Sequence, residues 1–346
     1  MSTLQQSISA FVEKRWYGNA GVLRVFTPLE YLFSLLVSNR KKRQQAAAQS
    51  VGAPLIIVGN ISVGGTGKTP MIISLCKFLQ SKGLCVGVIS RGYGRQTQGL
   101  QIAHKNSTAV QLGDEPFEIY RNTQCCMVVS DKRLEAAQYL VKNKRCDVIL
   151  ADDGLQHYKL FRDKELVLVD GLRGFGNGHL LPVGPLREPV SRLADADWVI
   201  KNASGCESAS NGSGIEYPQG FSAIISLKPE ALVNVRSGQH FPLEKLSHLK
   251  EVHAVAGIAS PDKFFNTLRT LKLEFEPVPL ADHHQYQSQD LGFSGDIIMT
   301  EKDAVKCAEI ANDRCYFLKT KMHISDQFLE DFFGSVKALI DQYKNG

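Results

Sequence analysis

A glycine-rich segment between an apolar run and a helical pattern constrains the fold of this chain more than any other feature. The apolar run is residues 55–58, the helical pattern reaches about Leu79, and the segment between them reads Ser62-Val63-Gly64-Gly65-Thr66-Gly67-Lys68-Thr69. A buried strand, a glycine-rich loop and a helix in this order are typical of a phosphate-binding loop. Glycines let successive N–H groups face one anion, a lysine reaches the outer phosphates, and a hydroxyl ligates Mg²⁺. We predict that residues 62–69 bind a nucleoside triphosphate, with Lys68 and Thr69 in the last two roles.

One position departs from the usual pattern of such a loop. G-x-x-x-x-G-K-[ST] has a glycine where this chain has Ser62. The alternative interpretation is a plain glycine-rich turn. The flanking strand and helix favour the nucleotide site, and Pro70 suits a first helical turn because its missing N–H costs nothing there.

Apolar strand-like runs alternate with helical patterns from residue 55 onward. The predicted strands of this part are residues 55–58, 85–89, 126–129, 148–151, 166–169 and 198–200. Strands that are apolar on both faces and joined by helices predict a largely parallel α/β sheet with helices on both faces, of the P-loop NTPase type. An Asn-, Ser- and Gly-rich stretch at residues 202–216 reads as a loop or boundary.

Further strand and helix patterns beyond that stretch predict a second, smaller α/β lobe. The strands are residues 221–227, 252–256, 297–300 and 316–318, and the helices are residues 261–271 and 327–343. We therefore expect an N-terminal segment over residues 1–45, a core over 46–222 that holds the nucleotide, and a smaller lobe over 223–346.

The positive charge of the chain is concentrated near its N-terminus. The formal net charge is +5, and residues 1–45 hold seven Lys or Arg and two acidic residues. An apolar run at 29–37 precedes the basic cluster 40–43, which suits an amphipathic helix on an anionic membrane surface. The alternative is a helix packed on the core with a solvated charged end. We expect no stretch long and apolar enough to span a bilayer and no secretory signal.

The eight cysteines show no C-x-x-C spacing and lie mostly in apolar runs. This pattern favours reduced, buried thiols in a cytosolic protein over disulfides or metal ligands.

Several polar groups are expected at the carboxyl ends of the predicted strands. Asp152 and Asp153 end an apolar strand as a Walker B element does, which predicts a place beside Thr69 and its metal ion, although Asp-Asp-Gly is also a common turn. Arg91 and Tyr93 follow the second strand and suit an anionic or sugar-bearing substrate, or else form a solvated turn.

Three further motifs contain candidate functional residues. Asp114 is either a helix N-cap or a carboxylate that accepts a proton from an attacking hydroxyl. The Gly- and Pro-rich residues 177–189 predict an ordered loop that contacts substrate or metal. Asp282-His283-His284 invites a zinc site, but no third ligand is recognisable, so zinc is not expected.

Taken together, these motifs resemble the tetraacyldisaccharide 4'-kinase family of Gram-negative bacteria, also called lipid A 4'-kinases. The resemblance covers nearly the whole chain, and this family is similar in lacking the first loop glycine. The matching blocks are residues 59–70, 90–94, 113–116, 152–157, 180–188, 255–258, 282–284 and 300–306.

The resemblance implies ATP-dependent phosphorylation of the 4'-hydroxyl of a tetraacylated glucosamine disaccharide 1-phosphate, which forms lipid IVA in lipid A biosynthesis. It implies that Asp114 is the base and that His283 approaches it when the lobes close. The remaining implied roles are catalysis by Lys68, Asp152 and Asp153, ATP binding by residues 62–69, Mg²⁺ binding by Thr69, Asp152, Asp153 and Glu188, and substrate binding by Arg91, Tyr93, Gln156, His157 and Arg187.

The resemblance also implies a peripheral enzyme at the cytoplasmic face of the inner membrane. Its expected partners are the lipid disaccharide and an anionic membrane surface, with no nucleic acid and no obligate protein partner. The alternative function is a membrane-cycling P-loop ATPase that acts through a protein partner, because such proteins also combine a glycine-rich loop with an amphipathic helix. A second lysine just before the paired glycines would favour it, and this chain has Val63 there.

Overall fold

The structure is a computed structural model that describes residues 3–204, 217, 220–258, 260–281 and 284–345. It divides into two compact units. The first comprises Met1–Asn202, Ile215–Ile224 and Ile324–Gly346, and the second comprises Ala203–Gly214 and Ile225–His323.

The helices and strands are numbered in chain order. The helices are α1 (Thr3–Trp16), α2 (Thr27–Ala46), α3 (Lys68–Ser81), α4 (Ala109–Leu112), α5 (Asp114–Thr123), α6 (Arg133–Tyr139), α7 (Pro261–Thr270), α8 (Glu301–Cys307) and α9 (Asp326–Asn345). The strands are β1 (Leu55–Gly59), β2 (Val86–Ser90), β3 (Gln101–Ile102), β4 (Cys126–Val129), β5 (Val148–Asp152), β6 (Lys164–Asp170), β7 (Trp198–Asn202), β8 (Ala223–Asn234), β9 (His240–Phe241), β10 (His253–Ala256), β11 (Glu276–Pro279), β12 (Ile297–Thr300) and β13 (Cys315–His323).

The sheet of the first unit has the strand order β7-β6-β1-β5-β2-β4-β3. All neighbouring pairs are parallel except β3 with β4. Every residue of β1, β2 and β5 is buried, which explains their continuous apolar sequences. The predicted, mostly parallel sheet with covering helices is confirmed. Since parallel strands end at one edge, Gly59, Ser90 and Asp152 lie along the same side of this sheet.

The second unit has its own mixed sheet, in the order β11-β10-β12-β13-β8, with β9 paired to β8. The pairs from β11 to β13 are parallel, and β13 runs antiparallel to β8. Phe265, Leu268 and Ile298 belong to its buried core. This is the second α/β arrangement that the alternating sequence patterns predicted.

The last helix, α9, packs within the first unit, whereas the sequence boundary assigned it to the smaller lobe. Phe328, Phe332, Val336 and Ile340 are buried along one face at a spacing of four. The Phe332 ring lies 5.0 Å from that of Trp198 in β7. The chain therefore returns to the first unit after completing the second.

The N-terminal segment contains α1, a 3₁₀ turn over Gly21–Phe26, and α2. No residue of α2 is buried, so the alternative of a helix packed on the core is wrong. In the described part of the chain, Gly21–Ala46 is long and apolar enough to cross a membrane, judged by length and composition alone. The expectation that no stretch reaches this length and hydropathy is corrected by that finding.

Candidate active site

The glycine-rich loop connects β1 to α3 as predicted. Gly67, with a φ of +92°, precedes the first residue of α3. Asn202, at the end of β7, donates a hydrogen bond from Nδ2 to the Thr66 carbonyl at 2.9 Å. A Cβ on Gly67 would overlap this amide, and the positive φ also favours glycine there. Asn202 therefore holds the loop from a neighbouring part of the sheet.

The loop offers unpaired donors. The backbone N–H groups of Gly64, Gly65 and Thr66 make no hydrogen bond to any residue within the described ranges. The Thr66 hydroxyl is likewise buried without a partner among those residues. Successive backbone N–H groups that line one concavity bind anions, so this row of donors fits a phosphate chain.

Lys68 lies at the start of α3, where its ammonium group contacts side-chain oxygen atoms of Asn60 and Asp153. Its Nζ donates to Asn60 Oδ1 at 3.1 Å and lies 3.3 Å from Asp153 Oδ1. Asn60 is fully buried, and its Nδ2 donates to the Ser62 carbonyl at 2.7 Å. The Asn60 amide thus links the lysine to the backbone of the loop.

The Gly- and Pro-rich loop at residues 177–189 lies directly against the glycine-rich loop. The Val63 N–H donates to the Pro185 carbonyl at 2.8 Å, and the Arg187 N–H donates to the Ile61 carbonyl at 2.7 Å. Ser62 and Leu186 form an antiparallel bridge between these bonds. Ser62, which stands where the usual pattern has a glycine, therefore lies in a short extended segment. Any residue can adopt this backbone conformation, so a glycine is not required there.

Asp152 and Asp153 lie at the carboxyl end of β5. The Ser90 hydroxyl donates to Asp152 Oδ2 at 2.9 Å, while Asp152 Oδ1 is buried with no partner among the described residues. Asp153 has a φ of +46°, which turns the chain sharply after the strand. Arg133 donates to the carbonyls of both residues at 3.2 and 3.0 Å, so it fixes this turn.

The two neighbouring carboxyl groups have opposite pKa shifts. Burial raises the pKa of Asp152 to about 7, and the negative charges of Glu115 and Asp153 add to the effect. Partial burial also acts to raise the pKa of Asp153, but the cations Lys68, Arg187 and Arg133 outweigh it and lower this pKa to about 2. Asp153 is therefore neutralised by cations, whereas the positive charge of Lys68 only partly offsets the burial of Asp152.

Glu188, which was predicted to bind the metal ion, is buried, and three side chains contact its carboxylate. Gln156 Nε2 donates to Oε1 at 2.8 Å, and Tyr158 OH donates to Oε2. Arg192 Nε lies 3.4 Å from Oε2. Glu188 is thus connected to the site through Gln156, whose Nε2 also donates to the Asn60 carbonyl at 3.2 Å.

Three of the predicted substrate residues lie beside this network. Arg187 NH1 lies 3.3 Å from Asp153 Oδ2 and 3.4 Å from Gln156 Oε1. Burial, together with the nearby cations Arg133 and Arg162, lowers the pKa of His157 to about 4. His157 is therefore neutral near pH 7.

The other two predicted substrate residues, Arg91 and Tyr93, lie in the loop after β2 and are largely exposed. The Tyr93 side chain is 72% exposed, and the exposed Arg91 guanidinium lies 3.6 Å from Asp131. A Cβ on Gly113 would lie 2.8 Å from the Tyr93 carbonyl oxygen, so this loop approaches the start of α5 closely.

Asp114 is the first residue of α5, and Gly113, with a φ of +91°, is the cap position. The interpretation of Asp114 as a helix N-cap is therefore wrong by one residue. Asp114 is half-buried. Its carboxylate lies in the first turn, where the helix dipole stabilises negative charge.

Four residues that the sequence did not single out hold the site together: Asn60, Asn202 and Arg133, described above, and Tyr17 from the N-terminal segment. The Tyr17 hydroxyl donates to the Val63 carbonyl at 3.0 Å. Tyr17, Arg133 and Asn202 act on segments distant in the sequence, so no local motif marks them. Asn60 lies close to the loop in the sequence, two residues before Ser62 and eight before Lys68, but the usual loop pattern does not include it.

In the second unit, His284 Nε2 lies 3.0 Å from Asp290 Oδ2. The Gly257 N–H donates to the buried Asp303 at 3.0 Å, and Asp303 also accepts from the Thr300 hydroxyl at 2.7 Å. Asp282 and His283 lie outside the described residues, so the predicted role of His283 stays a prediction.

Comparisons with known proteins bear on these observations. The profile of a family described as tetraacyldisaccharide-1-P 4'-kinase matches residues 22–337. Among named relatives, the tetraacyldisaccharide 4'-kinase of Pseudomonas putida (strain GB-1) is 42% identical over 94% of this chain and 96% of its own length. The protein of the same name from Legionella pneumophila (strain Lens) is 39% identical over 94% and 97%. A crystal structure of LpxK from Aquifex aeolicus in complex with ATP superposes with a TM-score of 0.73 at 25% identity, covering 92% of this chain and 99% of that one.

Proposed function

Because this chain belongs to the tetraacyldisaccharide-1-P 4'-kinase family, we infer that it transfers the γ-phosphoryl group of ATP to the 4'-hydroxyl of a tetraacylated glucosamine disaccharide 1-phosphate. The similarity over nearly the whole length of both proteins carries this conclusion. It confirms the resemblance, the kinase activity and the use of ATP that the sequence predicted. The alternative, an ATPase that acts through a protein partner, is not favoured, because the relatives are named as kinases.

In our proposal, the loop of residues 62–69 cradles the phosphate chain of ATP. The N–H groups of Gly64, Gly65 and Thr66, which have no acceptor among the residues that the structure describes, supply hydrogen bonds to phosphate oxygens. Lys68 supplies positive charge to the outer phosphates once it leaves Asp153. Asn60 and Asn202 are positioning residues, since one restrains the lysine and the other restrains the loop.

The residues at the end of β5 fit a divalent cation. The supporting observation is the buried Oδ1 of Asp152, which has no hydrogen-bond partner in the described part of the chain. Carboxylate and hydroxyl oxygens are the ligands that Mg²⁺ prefers, so Asp152 and Thr69 would hold it, with Asp153 close by. Mg²⁺ supplies positive charge to the phosphoryl oxygens when it is bound. Glu188 would reach the ion after Gln156 releases its carboxylate.

Asp114 is proposed as the base for the acceptor hydroxyl. Its carboxylate takes the proton of the 4'-hydroxyl as that oxygen bonds to the γ-phosphorus. The bond between the γ-phosphorus and the bridging oxygen breaks, and ADP leaves with that electron pair. His283 is proposed to position Asp114 when the two lobes close.

The lipid headgroup is proposed to contact Arg91, Tyr93, Gln156, His157 and Arg187. The Arg187 guanidinium carries the charge that a phosphate of the acceptor requires. His157, being neutral near pH 7, contributes hydrogen bonds to sugar hydroxyls instead of charge.

We place the enzyme at the cytoplasmic face of the inner membrane, held there by its N-terminal segment. The exposed apolar side chains of α2 and the basic residues after them support this proposal. The lipid acceptor and an anionic membrane surface are its proposed partners.

The decisive experiment measures transfer of radiolabel from γ-labelled ATP to the purified lipid disaccharide. Lys68→Ala should abolish transfer, whereas Lys77→Ala, on the exposed side of the same helix, should leave it near the wild-type rate.

Asp114→Asn should lower turnover by about 10²- to 10⁴-fold, as loss of a general base does. Circular dichroism and the melting temperature check that each variant is folded.

ATP turnover that does not depend on the lipid acceptor would contradict the kinase function and favour the ATPase. A less than about threefold fall for Asp114→Asn, in a folded variant, would instead remove only the base assignment.

A further inference from the structure

Three thiols that the sequence separates widely lie together in the first unit. Cys126 begins β4, and Cys85 and Cys146 precede β2 and β5. Since β2 lies between β5 and β4 and all three strands are parallel, their amino ends meet at one edge of the sheet. This edge is opposite the carboxyl ends that carry the candidate active site.

The sulfur atoms are spaced as they would be around one metal ion. Cys85 Sγ lies 4.0 Å from Cys126 Sγ and 3.9 Å from Cys146 Sγ, and the three atoms lie within 4.8 Å of one another. Zinc–sulfur bonds of about 2.3 Å in a tetrahedral site place two sulfurs roughly 3.8 Å apart. The two observed separations differ from this value by no more than about 0.2 Å.

The cluster is accessible from one side and closely packed on the other. Cys146 is 5% exposed, and Cys85 and Cys126 are half-buried, so solvent reaches one side of the cluster. A Cβ on Gly87 would lie 3.1 Å from Cys146 Sγ and 2.9 Å from a Leu140 methyl, so glycine at this position lets the Cys146 sulfur pack against β2.

Hydrogen bonding within the cluster does not account for the arrangement. The contacts between the three sulfurs are weak, because a thiol is a poor donor and sulfur a poor acceptor. Cys85 Sγ donates to the Lys144 carbonyl at 3.7 Å, also a long contact. Thiolates, in contrast, are strong ligands for soft cations.

We propose that Cys85, Cys126 and Cys146 bind one thiophilic d¹⁰ cation, Zn²⁺ or Cu⁺. Each thiol that bonds the cation releases its proton to the solvent, and no electron is transferred. Zn²⁺ would complete a tetrahedron with one water on the exposed side, while Cu⁺ would be held by the three sulfurs alone. The bound ion would tie together β2, β4 and β5.

This proposal departs from the preference for free thiols that the cysteine spacing suggested. Cys85 and Cys126 are 41 residues apart, and Cys85 and Cys146 are 61 apart. No short motif connects them, and the order of strands in the sheet is what brings them together.

The test uses the full chain, reduced and treated with a chelator. Co²⁺ is added as a spectroscopic probe, and Zn²⁺ and Cu⁺ are then titrated separately in competition with chromophoric chelators. We expect one equivalent of Co²⁺, a thiolate-to-cobalt charge-transfer absorption, and a melting temperature that rises with the bound ion. The two competitions give the affinity of the cluster for each ion and so show which of them it prefers.

Cys85→Ser and Cys126→Ser are the informative variants because both positions are half-buried. Each should weaken binding at least about 100-fold, since one of three thiolates is lost. Cys315→Ser is the matched control, because a serine hydroxyl there can still donate to Asn312 Oδ1. Absence of the charge-transfer absorption in the wild-type protein, or equal affinity in wild type and Cys126→Ser, would overturn the proposal.

Discussion

Helices α2 and α9 have the same length and opposite relations to the rest of the molecule. Each has 20 residues, and both belong to the first unit. α9 buries four apolar side chains, whereas α2 buries none and leaves Leu29 51%, Leu36 59% and Tyr31 68% exposed. Length and apolar content alone therefore do not decide where a helix lies.

The side of α2 that faces the protein is held by polar contacts. Glu30 accepts from the Leu180 N–H at 2.7 Å and lies 3.1 Å from His179 Nδ1. Lys41, three turns later, lies 3.0 Å from Asp195. The hydrophobic effect thus holds α9 to the core, while the apolar side of α2 remains available to another apolar phase, which we propose is the membrane.

Truncation of a core residue in α9 should give the largest effect. Phe332→Ala should lower the free energy of unfolding by about 3–5 kcal/mol, because it leaves a cavity beside Trp198. Leu36→Ala in α2 is the control and should change it by no more than about 0.5 kcal/mol. Urea unfolding measures both. Equal losses would mean that α2 is packed as firmly as α9.

Replacement of the apolar side of α2 should give the next largest change in free energy, here in the binding of the protein to membrane vesicles. The triple variant Leu29→Ser, Leu32→Ser and Leu36→Ser should weaken sedimentation with vesicles about 100-fold, or roughly 1 kcal/mol for each partly exposed leucine. Val110→Ser, which removes an exposed apolar side chain elsewhere, should have little effect. Unchanged vesicle binding in the folded triple variant would exclude α2 as the contact.

The basic cluster after the apolar residues should contribute less. Lys42→Gln with Arg43→Gln should weaken binding to anionic vesicles about 30-fold at low salt, because each charge contributes about 1 kcal/mol near such a surface. The loss should shrink at high salt and vanish on zwitterionic vesicles. Lys105→Gln with Arg121→Gln, both exposed elsewhere, is the matched control. A similar loss on zwitterionic vesicles would contradict an electrostatic role.

Loss of the polar attachment of α2 should give the smallest effect. Glu30→Ala should destabilise the contact by about 1 kcal/mol, because the Leu180 N–H loses its acceptor. Glu30→Gln keeps an acceptor oxygen and should cost less. Hydrogen exchange at the Leu180 amide reports the change directly, and unaltered protection in Glu30→Ala would show that other contacts hold α2.

The sequence predicted the central strands well because burial on both faces leaves a continuous apolar run. Residues 55–58, for example, correspond to β1, whose residues are all buried. The edge strands were missed. β11 contains two prolines and β3 has only two residues, so neither shows the periodicity of a strand.

The site was predictable only where its chemistry follows a local pattern. The loop around Lys68 has a characteristic spacing, and Asp152 ends an apolar run. Asn202 and Tyr17 act on the same loop from sequence positions 136 and 46 residues away. The sequence proposed a membrane-facing α2 but could not decide against a core-packed helix, because its apolar residues follow a helical pattern in either case.

Because Lys68 is paired with Asp153, binding of a nucleotide requires that a phosphate replace the Asp153 carboxylate beside the Lys68 ammonium group. Before a phosphate can take the lysine, it must compete with a carboxylate 3.3 Å from the ammonium group. A multiply charged phosphate competes better for a cation than a singly charged anion does. With Lys68 in its proposed role, the protein without ATP therefore acts as a selective ion exchanger. Asp153 holds the lysine against singly charged anions and releases it to the more highly charged phosphate chain.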